Sequence, residues 1–240
     1  DRSIRAEAEK WKEIEMDLFR KSDVILTPSI DEQKIIKGLD SSFNVQLMRP
    51  YIYKDVKEYV PDFEGKRDIF FVGGFNHTPN TDAVLWFSSE VWPQIRKNIP
   101  GIRFIVAGSN PPPEVKDLGK DPDIIIKGYV ADHELEELYA TCRLAVIPLR
   151  YGAGVKGKTV EAMKYGIPLV TTGFGVEGLP GDFSFLKVAD SSEEFANQVI
   201  ELYHDEPQLR EISLKSIRYI RENFTEDVAA EIIREALATV

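Results

Sequence analysis

The chain has 240 residues, 43% of them apolar, enough for a sizeable core in one large domain or in one domain plus a fragment of another. A formal net charge of -10 argues against nucleic acid as a partner, since that binding rests on clustered Lys and Arg. Cys142 is the single cysteine, which excludes an intrachain disulfide; with three histidines it argues against structural zinc and fits a reducing, cytoplasmic setting.

Residues 4–22 have the periodicity of a helix, with Ile4, Trp11, Ile14, Leu18 and Phe19 near helical spacing. Because this pattern is already running at Asp1, the chain reads as a piece of a longer polypeptide. Asp23 to Thr27 is a short buried strand. Pro28-Ser29 turns the chain, and Ser29 and Asp31 are both candidate caps for a helix through about Lys37. Phe43 to Met48 alternates like a strand. Arg49 to Arg67 holds Pro50, Pro61 and Gly65 among its charges and reads as a linker, with a domain boundary there.

From Asp68 the pattern is regular. Ile69 to Val72 is an apolar run ending in Gly73-Gly74. A helix is expected from about Asn80 to Asn98, with Ala83, Val84, Phe87, Val91 and Ile95 on one side. Ile102 to Ala107 ends in Gly108, Pro111 to Leu118 is a short helix, and Ile124 to Ile126 runs to Gly128. A helix over Ala131 to Ala140 has Asp132 as its expected cap. Strands follow at Leu144 and Leu169, with a short helix between them, and Phe185 to Val188 is a last candidate strand. Three helices close the chain, over Ser191 to His204, Gln208 to Asn223 and Thr225 to Thr239. Strands alternating with helices predict an α/β fold with a parallel, doubly wound, Rossmann-like sheet. Five strands then deliver small-residue loops to the edge where such sheets bind ligands, though any one glycine by itself is better read as completing an ordinary turn. No apolar run reaches the length of a membrane-spanning helix, and no signal peptide is visible.

The most informative stretch is Tyr151 to Met163. Lys158 and Glu161, three residues apart, share one helical face. The loop ahead of them supplies backbone amides at a helix N-terminus, where the dipole favours an anion. The pattern suits a phosphate-bearing ligand with a carboxylate placed to accept sugar hydroxyls.

The run from Pro148 to Thr172, with Gly175 to Leu179 after it, resembles the signature of the group 1 (family 4) retaining glycosyltransferases of GT-B fold. Phe71 to Ala83 looks like the opening of their nucleotide-sugar-binding domain. The resemblance implies an enzyme that moves a sugar from a UDP- or GDP-sugar to a glycan or lipid-linked acceptor, with retention and with neither metal nor cofactor, in polysaccharide or glycoconjugate biosynthesis. Lys156 and Lys158 would hold the diphosphate and stabilise its growing charge, and Glu161 would bind the ribose. Gly73, Gly74, Gly152, Ala153, Gly154 and Val155 would bring backbone to the phosphates and sugar. The base would lie by Gly128, Tyr129 and Val130, and His77 would touch the diphosphate or the acceptor. Asp121-Pro122-Asp123 reads as a turn rather than a metal motif.

Two departures stand out. Many relatives carry a Glu eight positions before the ribose-binding one, where this chain has Ala153. Many also have Arg and Lys in the opening loop, where it has Gly74 and Pro79. By the same resemblance, residues 1–53 are the tail of the acceptor-side domain, 54–67 a linker and 68–224 the donor domain. Residues 225–240 would form a helix that packs back. The part before residue 1 would carry the acceptor site and any peripheral membrane contact, so this piece alone is expected to be weakly active or inactive. A non-catalytic scaffold and a sugar-nucleotide epimerase of the same fold stay open as alternatives.

Overall fold

The computed structural model describes residues 2–56 and 61–238. Helix α1 (Arg2–Lys21) comes first. A small parallel pair follows, β1 (Ile25–Thr27) and β2 (Val45–Leu47), connected through α2 (Ile30–Leu39). Of the two candidate caps, Ser29 closes α2, its hydroxyl accepting from the Glu32 amide at 3.1 Å. The apolar stripe of α1 remains in solvent, with Ile4, Trp11 and Leu18 each more than half exposed.

The main body starts at β3 (Ile69–Val72), α3 (Thr78–Trp86), a π-helical stretch over Phe87–Val91, and α4 (Trp92–Asn98). Next come β4 (Phe104–Ala107), α5 (Pro113–Asp117) with a 3-10 turn, β5 (Ile124–Gly128), α6 (Asp132–Thr141) and β6 (Leu144–Ile147). Then follow α7 (Gly157–Lys164), β7 (Leu169–Thr171), α8 (Gly173–Val176), β8 (Lys187–Val188), α9 (Ser192–His204), α10 (Glu206–Asn223) and α11 (Glu226–Ala238).

The single helix expected from Asn80 to Asn98 is therefore three segments that begin two residues earlier. Pro93 is the cause. It has no amide hydrogen and its ring crowds the carbonyl four residues back, so the helix widens just ahead of it. Asp132 is not the cap of α6 but its first residue. The cap position is Ala131, whose amide donates to the Glu134 carboxylate at 2.8 Å, so the N3 side chain satisfies the helix start.

Six parallel strands form one sheet in the order β5-β4-β3-β6-β7-β8. The chain winds outward from β3 to β5, recrosses to β6, and winds outward the other way to β8. The order reverses between β3 and β6, which puts the crevice of a doubly wound sheet at their C-terminal ends. Strands β4, β6 and β7 are buried at every position, which explains their unbroken apolar runs. Aromatic rings fill the layer beneath α3 and α4, with Phe87 4.6 Å from Phe104 and Trp92 5.9 Å from the same ring.

The expected linker, residues 54–67, is tied to this body where it is described; residues 57–60 lie outside the described residues. Phe63 is fully buried, and the Arg143 guanidinium donates to the carbonyls of Phe63 and Tyr203 at 2.8 Å each. Just before it, the Tyr53 amide donates to the Phe224 carbonyl at 2.7 Å, so two distant chain crossings run side by side.

Candidate functional site

The loops leaving β3, β4 and β5 are joined through main chain. The Gly73 amide donates to Ala107 at 3.0 Å, the Gly108 amide to Gly128 at 2.7 Å, and the Phe75 amide to Ser109 at 2.9 Å. A methyl group at Gly108 would lie 2.0 Å from the Gly73 carbonyl oxygen, so only glycine allows these exits to meet.

Directly above β3, four residues converge. Asn80, in the first turn of α3, is buried and donates from Nδ2 to the Gly74 carbonyl at 2.7 Å. Its Oδ1 accepts from the Lys158 Nζ, delivered by the first turn of α7. The same ammonium sits 4.3 Å from the centroid of the Phe71 ring. A methyl on Gly73 would come within 2.7 Å of the Lys158 Nζ and 2.8 Å of Asn80, so the missing side chain makes room for both. Burial, with Lys156 nearby, pulls the Lys158 ammonium down to about 7. It is thus a cation held in a partly desolvated place at the switch point, flanked by the N-termini of α3 and α7.

Lys156 behaves differently. Its Nζ donates to the carbonyls of Gly152 (3.3 Å) and Gly154 (2.5 Å) and pairs with Glu177 at 3.0 Å. The side chain is only 10% exposed. Here Lys156 shapes the Gly152–Val155 loop instead of presenting its charge to the crevice. Its carbonyl partners lie on either side of Ala153, which is exposed. Beside this loop opens a cavity of about 440 Å³ lined by Arg150, Thr172, Phe174, Glu177 and Asp190. Arg150 itself is clamped to Asp82 of α3 in a bidentate pair.

Glu161 and Lys158 do not pair. The Glu161 Oε2 accepts from the Tyr139 hydroxyl of α6 at 3.2 Å. Burial raises the Glu161 carboxyl above its usual range, and Asp132, the first residue of α6, pushes the same way; the Tyr139 bond and Lys164 oppose them. Asp132 follows the Gly128–Ala131 loop, so the end of that loop lies within electrostatic reach of the Glu161 carboxylate. Tyr129 in the loop is 76% exposed, whereas Val130 is half-buried against the core. His77 stands exposed at the start of α3, and its side chain makes no capping bond. The switch point therefore gathers Gly73, Gly74 and Lys158 around Asn80; the Gly152–Val155 loop leads into α7, and Glu161 lies one turn beyond Lys158 on that helix. The sequence assigns no role to Asn80, Tyr139 or Glu177, which meet their partners across 78, 22 and 21 residues.

Among the described residues, no group of three or more His, Cys, Asp or Glu side chains is placed to hold a metal ion. The Asp121-Pro122-Asp123 stretch is a turn, with the Asp121 carboxylate accepting from the Asp123 amide and pairing with Arg96 at 2.6 Å. No helix of the described residues is long and apolar enough to cross a membrane.

This arrangement carries a family pattern. The model described as "Glycosyl transferases group 1" matches residues 66–205, more than half of the chain. The chain belongs to the group 1 glycosyltransferases. A curated Klebsiella pneumoniae relative, "Uncharacterized 44.6 kDa protein in cps region", is 25% identical over 228 residues. The match covers 91% of this glycosyltransferase chain and 57% of the relative, so the chain spans just over half of it. Among solved structures it is similar to S. aureus TarM in complex with fondaparinux, alpha-GlcNAc-glycerol and UDP (TM-score 0.71, 14% identity, 91% of this chain, 44% of that one). It is also similar to sucrose-phosphate synthase from Thermosynechococcus elongatus (0.71, 14%, 97% and 63%) and to Anabaena HepE in complex with UDP-glucose (0.66, 15%, 91% and 64%). These likenesses bear on the fold: the six-stranded body is a Rossmann-like half of GT-B.

Proposed function

We propose that this chain is the donor-binding part of a family 4, retaining glycosyltransferase. One observation carries the reading: Lys158, Asn80 and Gly73 meet at the β3/β6 switch point, with Glu161 one turn further along the helix that delivers Lys158. A diphosphate at that point meets the amides of two helix starts and one half-buried cation. In this reading Lys158 stabilises the charge that grows on the diphosphate as the sugar leaves, which is work a divalent metal does elsewhere, so the reaction needs neither metal nor cofactor. Glu161 accepts from the ribose diol, since an ionised carboxylate offers two acceptor oxygens. The base lies along Gly128, Tyr129 and Val130, and His77 stands where it meets the diphosphate or the acceptor. Lys156 acts one step removed, by shaping the Gly152–Val155 loop. The cavity beside Phe174 and Glu177 leaves room for the sugar.

UDP is favoured over GDP because the complexes named for TarM and HepE contain UDP or UDP-glucose. The relative's name places it in a cps region, which supports a role in polysaccharide assembly. Residues 1–53 are then the tail of the acceptor-side domain, 54–67 a linker, 68–224 the donor domain and 225–240 a closing segment whose helix α11 packs back. The glycan or lipid-linked acceptor meets sequence outside this chain.

Calorimetry with UDP and GDP tests the reading. Saturable binding of one of them, abolished in Lys158→Ala, is expected; silence with both at millimolar ligand refutes it. That second outcome would favour a non-catalytic member of the fold, a reading to which Ala153 and the engaged Lys156 already lend support.

A further inference from the structure

We infer that Tyr139 is the positioning residue for Glu161: its hydroxyl holds one carboxylate oxygen so that the other faces a ligand's ribose diol. The inference rests on the donor-site reading above.

Tyr139 is 1% exposed, and a phenol that deep needs a partner for its hydroxyl. The partner is Glu161 Oε2 at 3.2 Å. The ring cannot swing away. Phe70 of β3 meets it edge-on at 5.1 Å, and Tyr165 at the end of α7 stacks on it at 4.6 Å with 11° between planes. Tyr165 is tethered in turn, its hydroxyl donating to Glu136 at 3.0 Å. Lys164, three residues beyond Glu161, lies over the rings of Tyr53 and Tyr165 at 4.8 and 4.7 Å. A hydroxyl fixed by the core to a half-buried carboxylate restricts its rotamer before any ligand arrives, which is how a precise acceptor is made. A tyrosine needed only for packing would serve equally well as phenylalanine.

The groups facing Glu161 are Tyr139 and Asp132 from α6, Lys164 and Tyr165 from α7, and Tyr53 from the segment after β2. Removing the Tyr139 hydroxyl takes away a contact that favours the carboxylate, so protonation sets in at a higher pH.

The test compares UDP and GDP with their 2′,3′-dideoxy forms on the 240-residue protein, by calorimetry across pH. Wild type should prefer the ribose ligand by about tenfold or more, the worth of hydrogen bonds to a charged acceptor. Tyr139→Phe should reduce that preference to about twofold, leave dideoxy affinity unchanged, and move the acid limb of ribose binding upward. In a Glu161→Gln background the same change should do nothing further. Equal weakening of both ligands with an unmoved acid limb would mean a packing role and overturn the inference, as would an intact ribose preference. If Tyr139→Phe does not fold, 3-fluorotyrosine at position 139 keeps the shape and strengthens the donor. The acid limb should then move down, and an unmoved limb overturns the inference. A wild type that binds neither UDP nor GDP fails earlier, at the donor-site reading. One that binds but ignores the dideoxy change refutes the ribose role of Glu161.

Discussion

Donor binding should take up a proton, and Lys158 should be the group that takes it. Burial holds this ammonium near 7 instead of the ordinary 10.5. At pH 7 about half the molecules carry the charge, and at pH 8 about one in eleven. A diphosphate placed beside the Nζ favours the charged form and restores a higher value. If the neutral amine contributes nothing, apparent Kd should rise up to about fiftyfold between pH 7 and pH 9, approaching tenfold per unit. A terminal phosphate completes its own ionisation near pH 6, roughly a unit below this window. Calorimetry in buffers of different ionisation enthalpy counts the protons directly: close to one per ligand at pH 8, few at pH 6. Lys158→Met should bind weakly with a flat profile. Constant affinity in wild type from pH 7 to 9, or an equal slope in Lys158→Met, refutes the reasoning. Stability supplies a second readout. The unfolded chain keeps this proton to about 10.5 while the folded one gives it up near 7, so wild-type stability gains from rising pH between those values. Lys158→Met should therefore raise Tm most at pH 7 and below, with an advantage that fades toward pH 10.

Gly108→Ala drives a methyl to 2.0 Å from a backbone oxygen and should cost about 3 kcal/mol or more, read as a large fall in Tm or as insoluble protein. Gly73→Ala meets only the ends of the Lys158 and Asn80 side chains. It should lower Tm less than Gly108→Ala, because side chains shift more easily than backbone, and should cost about tenfold or more in nucleotide affinity, because the displaced ammonium is misplaced. Lys156→Ala and Glu177→Gln should weaken nucleotide binding to similar extents, and the double variant little further, giving a coupling of about 1 kcal/mol. Additive losses would instead make Lys156 a direct phosphate ligand.

Much of the fold was legible because periodicity is local. Apolar runs ending in Gly73, Gly108 and Gly128 marked parallel strands, and the spacing of Lys158 and Glu161 marked the helix that serves the crevice. The interruption at Phe87 was harder to see, since the apolar spacing around it suits one long helix and only Pro93 signals otherwise. In the site, local spacing identified charges but not their partners. Nothing near Lys156 reveals that Glu177 neutralises it, and nothing near Lys158 points back to Asn80. A shared helical face suggested that Lys158 and Glu161 act together. The fold instead gives each a partner from a different element, Asn80 of α3 for one and Tyr139 of α6 for the other. Such pairings exist only once the strands are ordered.

The contact between Gly108 and the Gly73 carbonyl has a consequence for how this surface can evolve. Where the exits of β3 and β4 touch, the floor of the crevice is main chain, without a side chain to exchange. A floor of that kind can be destroyed by substitution but not retuned by it. In the proposed donor site that floor faces the diphosphate, which every nucleotide-diphosphate sugar carries. In that proposed site the side chains with freedom to vary are exposed ones such as Tyr129, Tyr151 and Phe174. Selection can alter those three positions without disturbing the fold beneath.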